Sequence, residues 1–203
     1  MPTQTPLDLT PPTPAHGIRV GIGGWVYAPW RDNFYPKGLV QRRELEYASR
    51  RVTAIEVNGT YYGAQKPATY AKWADETPEH FLFSLKAPMR ITQARDLSRV
   101  GPQVEDFLGG VLALGHRLGP VVWQFDAGTR IDRAAFEAFV ASLPHAMEGH
   151  ALRHVLDVRD HAAVDAAHIA LARRHRVATV FTDSPEHPSF ADITADFVYA
   201  RLM

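Results

Sequence analysis

The sequence predicts an α/β fold, a TIM-type (β/α) barrel. Three observations predict it: short β-type runs alternate with helical patterns after residue 17, seven such runs occur, and none is followed by a glycine-rich dinucleotide loop. Alternating strands and helices are typical of parallel strands joined by right-handed crossovers. Seven strands without a nucleotide-binding loop favour a barrel over an open, doubly wound sheet.

The seven candidate strands are short runs with β-branched and aromatic residues, at residues 18–23, 53–58, 81–86, 121–125, 154–158, 179–181 and 197–201. Five candidate helices with apolar residues near a 3.6-residue spacing lie between them, at residues 42–51, 68–76, 102–117, 133–142 and 162–175. The connection between residues 181 and 197 has only a weak helical pattern, so we expect it to be mostly loop. Residues 1–17 are rich in proline, and we expect a disordered tail there and a single domain at 18–203.

Composition excludes several kinds of site and partner. Of the 203 residues, 46% are hydrophobic and 22% charged, as in an ordinary globular domain. The chain has 22 Lys and Arg residues in total and 22 Asp and Glu residues in total, so no net charge attracts nucleic acid or an anionic membrane. The absence of cysteine rules out thiolate zinc sites, iron–sulfur clusters and a cysteine nucleophile. No apolar run approaches the roughly 20 residues of a membrane span, and no signal peptide is recognisable, so a cytoplasmic location is expected.

Polar side chains end five of the candidate strands, and within each strand they share one face. In a barrel that face points to the axis, and the carboxyl ends of the strands form the mouth where TIM-barrel active sites lie. We therefore expect one polar pocket at the mouth, although the same groups could instead satisfy one another in a plugged barrel. They are Glu56, Asn58, Lys86, Gln124, Asp157, Arg159 and Arg201, with Asp183 just beyond the sixth strand.

Several motifs in order along the chain resemble the YecE-like family, also known as domain of unknown function 72. They are GIGGWVYAPW at residues 21–30, FYP at 34–36, EVNGTYY at 56–62, KAP at 86–88, IT at 91–92, WQF at 123–125, DVR at 157–159 and YARL at 199–202. The resemblance covers the chain after the tail and implies a TIM-type barrel. The family's activity is not established, so the resemblance implies no reaction.

The chain departs from the family pattern in two places. Family members commonly have Glu where this chain has Asp157, which is one methylene shorter, and His with a nearby Trp where it has Asp160 and alanines. The family also continues past the seventh strand with a final strand and helix, whereas this sequence stops at Met203. We therefore expect a barrel that lacks these elements. Either the natural product continues, or two copies meet at the open strand edges as a dimer.

Four residues are candidates for catalysis: Glu56, Lys86, Asp157 and Asp183. Adjacent strands lie about 4.8 Å apart, so Glu56 and Lys86 can reach each other. Burial would lower the pKa of Lys86 and suit it to act as a base or Schiff-base nucleophile, whereas a Glu partner would keep it protonated. A purely structural ion pair is an equally open interpretation.

The remaining candidates would bind substrate. Arg159 and Arg201 can clamp a phosphate or carboxylate bidentately. Aromatic side chains at the mouth can stack on a flat ligand or close the barrel as an apolar lid. The candidate substrate-binding residues are Trp25, Tyr27, Asn58, Tyr62, Gln124, Arg159 and Arg201.

No metal site is expected, and the sequence indicates no particular cofactor. Asp157 and Asp183 could hold a hard cation, but the arginines nearby would neutralise them, and no strand end carries a His-x-x-x-His spacing. His161, His168 and His175 follow a heptad spacing on a helix that we expect to be exposed.

Two functions of different classes remain open. In the first, the chain is an enzyme for an anionic or phosphorylated small molecule, with Lys86 or Glu56 transferring a proton and Arg159 with Arg201 binding the anion. In the second, the mouth grips nucleic acid by aromatic stacking and Arg or Lys contacts, as in DNA-repair nucleases that share only the barrel fold. The neutral net charge favours the first.

Overall fold

The computed structural model describes residues 17–129 and 131–203, so nearly all of the expected proline-rich tail lies outside the described residues. The fold is a mixed α/β structure whose seven parallel strands form a partial barrel of the TIM type. The strands follow one another in chain order across the sheet, from the first at one edge to the seventh at the other. The predicted fold class is confirmed.

All seven predicted strands exist, with bounds that differ from the prediction by at most three residues. They are Gly21–Gly23 (β1), Ala54–Val57 (β2), Leu82–Lys86 (β3), Leu118–Phe125 (β4), His154–Val158 (β5), Ala178–Thr182 (β6) and Tyr199–Arg201 (β7). Every neighbouring pair is parallel. β1 approaches β2 so closely that a Cβ at Gly21 would lie 2.6 Å from the carbonyl oxygen of Ala54, which explains the glycine.

A short antiparallel hairpin between β4 and β5 is absent from the sequence-based prediction. It pairs Ala146–Met147 with His150–Ala151. The two turn residues, Glu148 and Gly149, both have positive φ, at 49° and 81°. Two-residue hairpin turns of this kind match the twist of the flanking strands, but strands of two residues leave no alternation to detect in the sequence.

In the described part of the chain, six α-helices lie between the strands. Met89–Thr92 was not predicted, Glu44–Ala48 is shorter than the predicted 42–51, and two further helices differ by several residues at one end. Residues 102–117 were expected to form one helix, but the α-helix ends at Val111 and a 3-10 helix continues to Arg117, with Gly115 in a non-helical conformation. The last helix begins at Ala166 rather than 162, because the side chain of Asp165 caps it by accepting from the backbone N–H of His168. The α-helices are Glu44–Ala48 (α1), Pro67–Glu76 (α2), Met89–Thr92 (α3), Gly101–Val111 (α4), Arg133–Ser142 (α5) and Ala166–Arg174 (α6). The 3-10 helices are Ala28–Trp30, Gln41–Arg43, Gly59–Tyr61, Leu97–Arg99, Leu112–Arg117 and His161–Ala163.

The main core lies between the outer face of the sheet and the helices. On β4, Trp123 and Phe125 are fully buried there, and both pack edge-on against Phe139 of α5. His168 of α6 also belongs to this layer: it is 4% exposed and stacks between Phe136 and Phe190. The expectation that His168 lies on an exposed face is therefore wrong, because α6 turns that face toward α5.

A smaller apolar cluster fills the inside of the barrel. Val122, Val155, Ala178 and Val180 are buried, and Phe197 and Tyr199 pack against them. These residues have the same parity as the polar residues farther along the same strands, since Gln124 lies two positions after Val122 and Asp157 two after Val155. The interior is thus apolar in its lower layer and polar toward the carboxyl ends of the strands, where the candidate site lies.

Candidate functional site

Glu56 and Lys86 meet inside the carboxyl end of the sheet. Glu56 is on β2 and Lys86 ends β3, and the Lys86 Nζ lies 4.0 Å from the Glu56 Oε1. The Lys86 and Glu56 side chains are only 9% and 11% exposed. Nζ also lies 5.8 Å from the ring centroid of Tyr61. The ammonium group is therefore enclosed, and its ion-pair contact with Glu56 is long.

Arg201 on β7 joins this pair to a second carboxylate across the barrel interior. Its Nε lies 3.2 Å from Glu56 Oε2, and its Nη1 lies 3.2 Å from Asp157 Oδ2. Arg159 donates to the same Asp157 oxygen, with Nη2 at 3.2 Å. Lys86, Glu56, Arg201, Asp157 and Arg159 thus form one chain of alternating charge, which we term the mouth network. It contains three cationic and two anionic side chains.

Burial lowers the pKa of Lys86 below its usual value of 10.5, and the nearby charge of Arg201 lowers it further. Glu56 acts in the opposite direction but does not restore the pKa. The sequence left two alternatives for Lys86, a pKa lowered by burial or a proton retained through Glu56. Burial and the charge of Arg201 favour the first, a lysine that loses its proton more easily than a free one. That property suits a base or a nucleophile.

Tyr199 supports Glu56 from β7. Its hydroxyl donates to Glu56 Oε2 at 2.7 Å and lies 2.8 Å from Ser84 Oγ. Burial, and next the charge of Glu56, raise the pKa of Tyr199, so the hydroxyl remains a neutral donor. Tyr199 shares a motif and a parity with Arg201, but it was not among the predicted site residues.

A second group of hydrogen bonds surrounds Asp126, directly after β4. Oδ2 accepts from the Tyr61 hydroxyl at 2.5 Å and from Gln93 Nε2 at 2.6 Å, and Oδ1 accepts from Gln124 Nε2 at 2.6 Å. Burial alone raises the pKa of Asp126, but these hydrogen bonds outweigh it, so the pKa lies below its usual range. Burial, and next the bond to Asp126, raise the pKa of Tyr61 to about 12.

The hydrogen-bonded group around Asp126 has four members, and only Gln124 was predicted from the sequence. The three that were missed are Tyr61, Gln93 and Asp126. Asp126 follows the WQF motif immediately, so its place at a strand end could have been noticed. Tyr61 stands in the EVNGTYY motif beside Tyr62, and only the structure distinguishes the buried tyrosine from the exposed one. Gln93 follows α3 on a loop, where strand parity carries no information.

The candidate aromatic residues do not join the mouth network. Trp25 packs edge-on against Trp73 of α2 at 5.1 Å and against Phe83 at 6.4 Å, in the outer layer between sheet and helices. Tyr27 is 54% exposed and Tyr62 is 82% exposed, each on a loop after β1 or β2. Trp25 thus lies in the helix-facing core, while the two tyrosines remain open to solvent.

Asp183 also lies apart from the mouth network. Ala178 and Val180 face the barrel interior, so Thr182 shares their face and Asp183 has the opposite parity. Its side chain is exposed, and Oδ1 accepts from the backbone N–H of Met203 at 2.9 Å. Within residues 17–129 and 131–203, no group of three or more His, Asp or Glu side chains is arranged to hold a metal ion.

Two amide oxygens in the site have no hydrogen-bond partner among the described residues. Gln124 Oε1 and Asn58 Oδ1 are both buried, and Gln124 as a whole is 5% exposed. Gln124 is the register partner of Asp157 on β5, and Asn58 directly follows β2.

The structure therefore brings seven of the predicted polar residues to one end of the sheet, namely Glu56, Asn58, Lys86, Gln124, Asp157, Arg159 and Arg201.

Solved structures share this fold. A DUF72 family protein from Thermotoga maritima superposes with a TM-score of 0.73 at 21% identity, over 91% of this chain and 73% of that one. One from Enterococcus faecalis gives a TM-score of 0.67 at 16% identity, over 91% and 72%. At these identities the likeness concerns the fold.

In the described part of the chain, no helix is long and apolar enough to cross a membrane.

Curated relatives match parts of the sequence. UPF0759 protein YecE from Escherichia coli K12 is 29% identical over 129 residues, which is 63% of this chain and 44% of that protein. UPF0759 protein YunF from Bacillus subtilis is 31% identical over 75 residues, 37% of this chain and 26% of that protein. This chain thus spans less than half the length of either relative. The family model described as protein of unknown function DUF72 matches residues 19–203, and the chain therefore belongs to the DUF72 family.

Proposed function

We propose that this protein is an enzyme that binds a small anionic molecule at the carboxyl end of its sheet. The observation that carries the proposal is the mouth network, in which three cationic side chains share two carboxylates within one partly enclosed cluster. The network therefore has one more cationic than anionic side chain. A carboxylate or phosphate ligand could occupy it and accept bidentate hydrogen bonds from an arginine.

The side chains divide into two roles. Arg159 and Arg201 hold the anion, and Asp157 positions both guanidinium groups because each donates to the same Oδ2 atom. Lys86 is the proton-transferring group, since it is enclosed, loosely paired and easier to deprotonate than a free lysine. Glu56 lies next to Lys86 and is the second candidate for proton transfer. Asp183 is left out because its side chain is exposed and accepts from the backbone N–H of Met203, two residues after β7.

Replacement of Lys86 by alanine tests whether the pair with Glu56 is functional or structural. The 4.0 Å separation is long for an ion pair, so Lys86→Ala should change Tm by no more than about 2 °C. The same variant should weaken binding of acetate or phosphate, measured by ligand-observed NMR, at least about tenfold. Lys72→Ala is the control, because Lys72 forms an exposed pair with Glu76 at 3.7 Å, far from the mouth. A large loss of stability with unchanged anion binding would make Lys86 a structural residue.

Nucleic-acid binding is the second candidate, and the exposed rings of Tyr27 and Tyr62 favour it. Stacking of a base on such a ring contributes about 1–3 kcal/mol. Titration of a fluorescent single-stranded oligonucleotide at several salt concentrations distinguishes the two candidates. Affinity that falls steeply with salt and depends on Tyr62 would support this function over the first.

A further inference from the structure

Two unpartnered acceptors in the site point to the chemistry of its ligand. Buried acceptors are almost always hydrogen-bonded, so Gln124 Oε1 and Asn58 Oδ1 are exceptions. The orientation of Gln124 is fixed, because its Nε2 must face the Asp126 carboxylate to which it donates at 2.6 Å. Its oxygen, and not its nitrogen, is therefore the atom left without a partner. A ligand that satisfies these atoms must carry hydrogen-bond donors.

The two acceptors flank the cationic side chains. Val57 pairs with Leu85 across β2 and β3, and Asn58 and Lys86 are the residues that follow this pair on the two neighbouring strands. Gln124 lies on the other side of β3, on β4, beside Asp157 and hence beside the guanidinium of Arg159. A molecule whose anionic end lies against Lys86 and the arginines can therefore present donors to both amide oxygens.

The charge count limits the ligand's anionic group. Three cationic and two anionic side chains in the mouth network leave one positive charge. The mouth network by itself therefore balances one negative charge. The nearby carboxylate of Asp126, which feels the charge of Arg159, adds a further negative charge that disfavours a dianion. A dianionic phosphate monoester would add uncompensated negative charge to an enclosed site, which is costly.

We propose that the ligand is a small polyhydroxylated monocarboxylate of the sugar-acid class. Its carboxylate lies against Arg159, Arg201 and Lys86, and two of its hydroxyls donate to Asn58 Oδ1 and Gln124 Oε1. The proposal rests on the proposed function, namely that this mouth binds a small anion. It adds that the ligand combines one negative charge with hydroxyl donors.

Four probes of similar size separate charge from hydroxyl groups. Gluconate carries both a carboxylate and hydroxyls, hexanoate only the carboxylate, sorbitol only the hydroxyls, and glucose 6-phosphate hydroxyls with a dianionic group. Calorimetric titration of the full 203-residue chain should show gluconate binding at least about tenfold more tightly than each of the others. Equal binding of hexanoate would overturn the role of the hydroxyls, and tighter binding of glucose 6-phosphate would overturn the monoanion.

Variants at the acceptors provide an independent test. Because Asn58 Oδ1 is buried without a partner, Asn58→Leu should raise the Tm of the ligand-free protein by about 2–4 °C. It should also lower gluconate affinity at least about fivefold and leave hexanoate affinity unchanged. Gln124→Met should weaken gluconate binding in the same way, whereas the exposed Gln65→Met should not. Unchanged gluconate affinity in both site variants would overturn the proposal.

The failure of this proposal and that of the proposed function give different results. If glucose 6-phosphate or hexanoate binds in a Lys86-dependent manner and gluconate has no advantage, the mouth binds anions but the ligand class is wrong. If none of the three anions binds, both proposals fail.

Discussion

The hydroxyl of Tyr199 donates a 2.7 Å hydrogen bond to Glu56 Oε2, which joins the last strand of the sheet to the second across the barrel interior. The two residues are 143 positions apart in sequence. Arg201, two residues after Tyr199, contacts the same carboxylate oxygen at 3.2 Å. β7 is therefore connected to β2 through side chains, although the two strands are far apart in the hydrogen-bonded order of the sheet. The groups of the candidate site thus also hold the curvature of the sheet.

Removal of the Tyr199 hydroxyl should destabilise the fold. Tyr199→Phe keeps the ring in the inner apolar cluster but removes a donor from Glu56, so we expect a loss of about 1–3 kcal/mol in the free energy of unfolding. Tyr27→Phe is the matched control, because that side chain is 54% exposed, and it should change stability by less than about 0.5 kcal/mol. Urea denaturation of both variants measures the difference, and equal stabilities would contradict the structural role of Tyr199.

Arg201 should be more important for stability than an exposed arginine whose ion pair is shorter. Arg201→Leu leaves two mostly buried carboxylates, Glu56 and Asp157, without their shared partner. Lys86 and Arg159 remain beside them, so we expect a loss of about 3 kcal/mol, at the lower end for a broken buried ion pair. Arg133→Leu breaks a 2.6 Å pair with Asp165 at the surface and should cost much less, because water screens exposed charges. A smaller loss for Arg201→Leu than for Arg133→Leu would contradict this ranking.

Strand parity accounts for what the sequence could predict about the site. Glu56, Lys86 and Asp157 each lie on a regular strand, where alternation decides which side chains face the axis, and all three lie in the mouth network. The same rule, applied to Asp183, shows why that residue lies elsewhere: it has the opposite parity to the interior residues of β6 and follows the end of the strand.

Alternation gives no information on loops, and this is where sequence reasoning failed. Trp25 follows β1 through Gly24, which has a positive φ of 78°, and its ring packs against Trp73 of α2 rather than joining the mouth network. Tyr61 lies in a 3-10 turn after β2, where burial depends on the position of the loop that carries Gln93. Contacts between loops depend on tertiary packing and leave no periodic pattern in the sequence.

The side-chain pKa of Lys86 should lie below its usual value of 10.5. The chain contains only four lysines, so NMR titration of their side chains can resolve each one. Burial and the charge of Arg201 both lower the pKa of Lys86, while Glu56 raises it. Glu56→Gln should therefore lower the pKa further, and Arg201→Gln should raise it. Shifts in the same direction in both variants would show that charge does not control this lysine.

A buried histidine at the opposite end of the sheet makes stability depend on pH. His154 begins β5 and is 1% exposed; its Nδ1 accepts from Trp123 Nε1 at 3.1 Å, and its Nε2 lies 2.7 Å from the Pro144 carbonyl oxygen. The imidazole is thus neutral, with the proton on Nε2. Burial, the largest cause, lowers the pKa of His154 to about 4. A second proton would occupy the nitrogen that accepts from Trp123.

Stability should therefore fall on mild acidification. An unfolded histidine has a pKa near 6.5, so the unfolded chain takes up the proton first as the pH falls, and the free energy of unfolding decreases between about pH 6.5 and pH 4. The contribution of His154 is fully present above this window and amounts to about 3 kcal/mol. Burial also lowers the pKa of His168, so His154→Gln should reduce the pH dependence without abolishing it. Denaturation at pH 7.5, 5.5 and 4.5 measures this effect, with the exposed His161→Gln as the control that retains the full dependence. An identical pH profile for His154→Gln and the unmodified protein would mean that the pKa of His154 is the same in the folded and the unfolded chain.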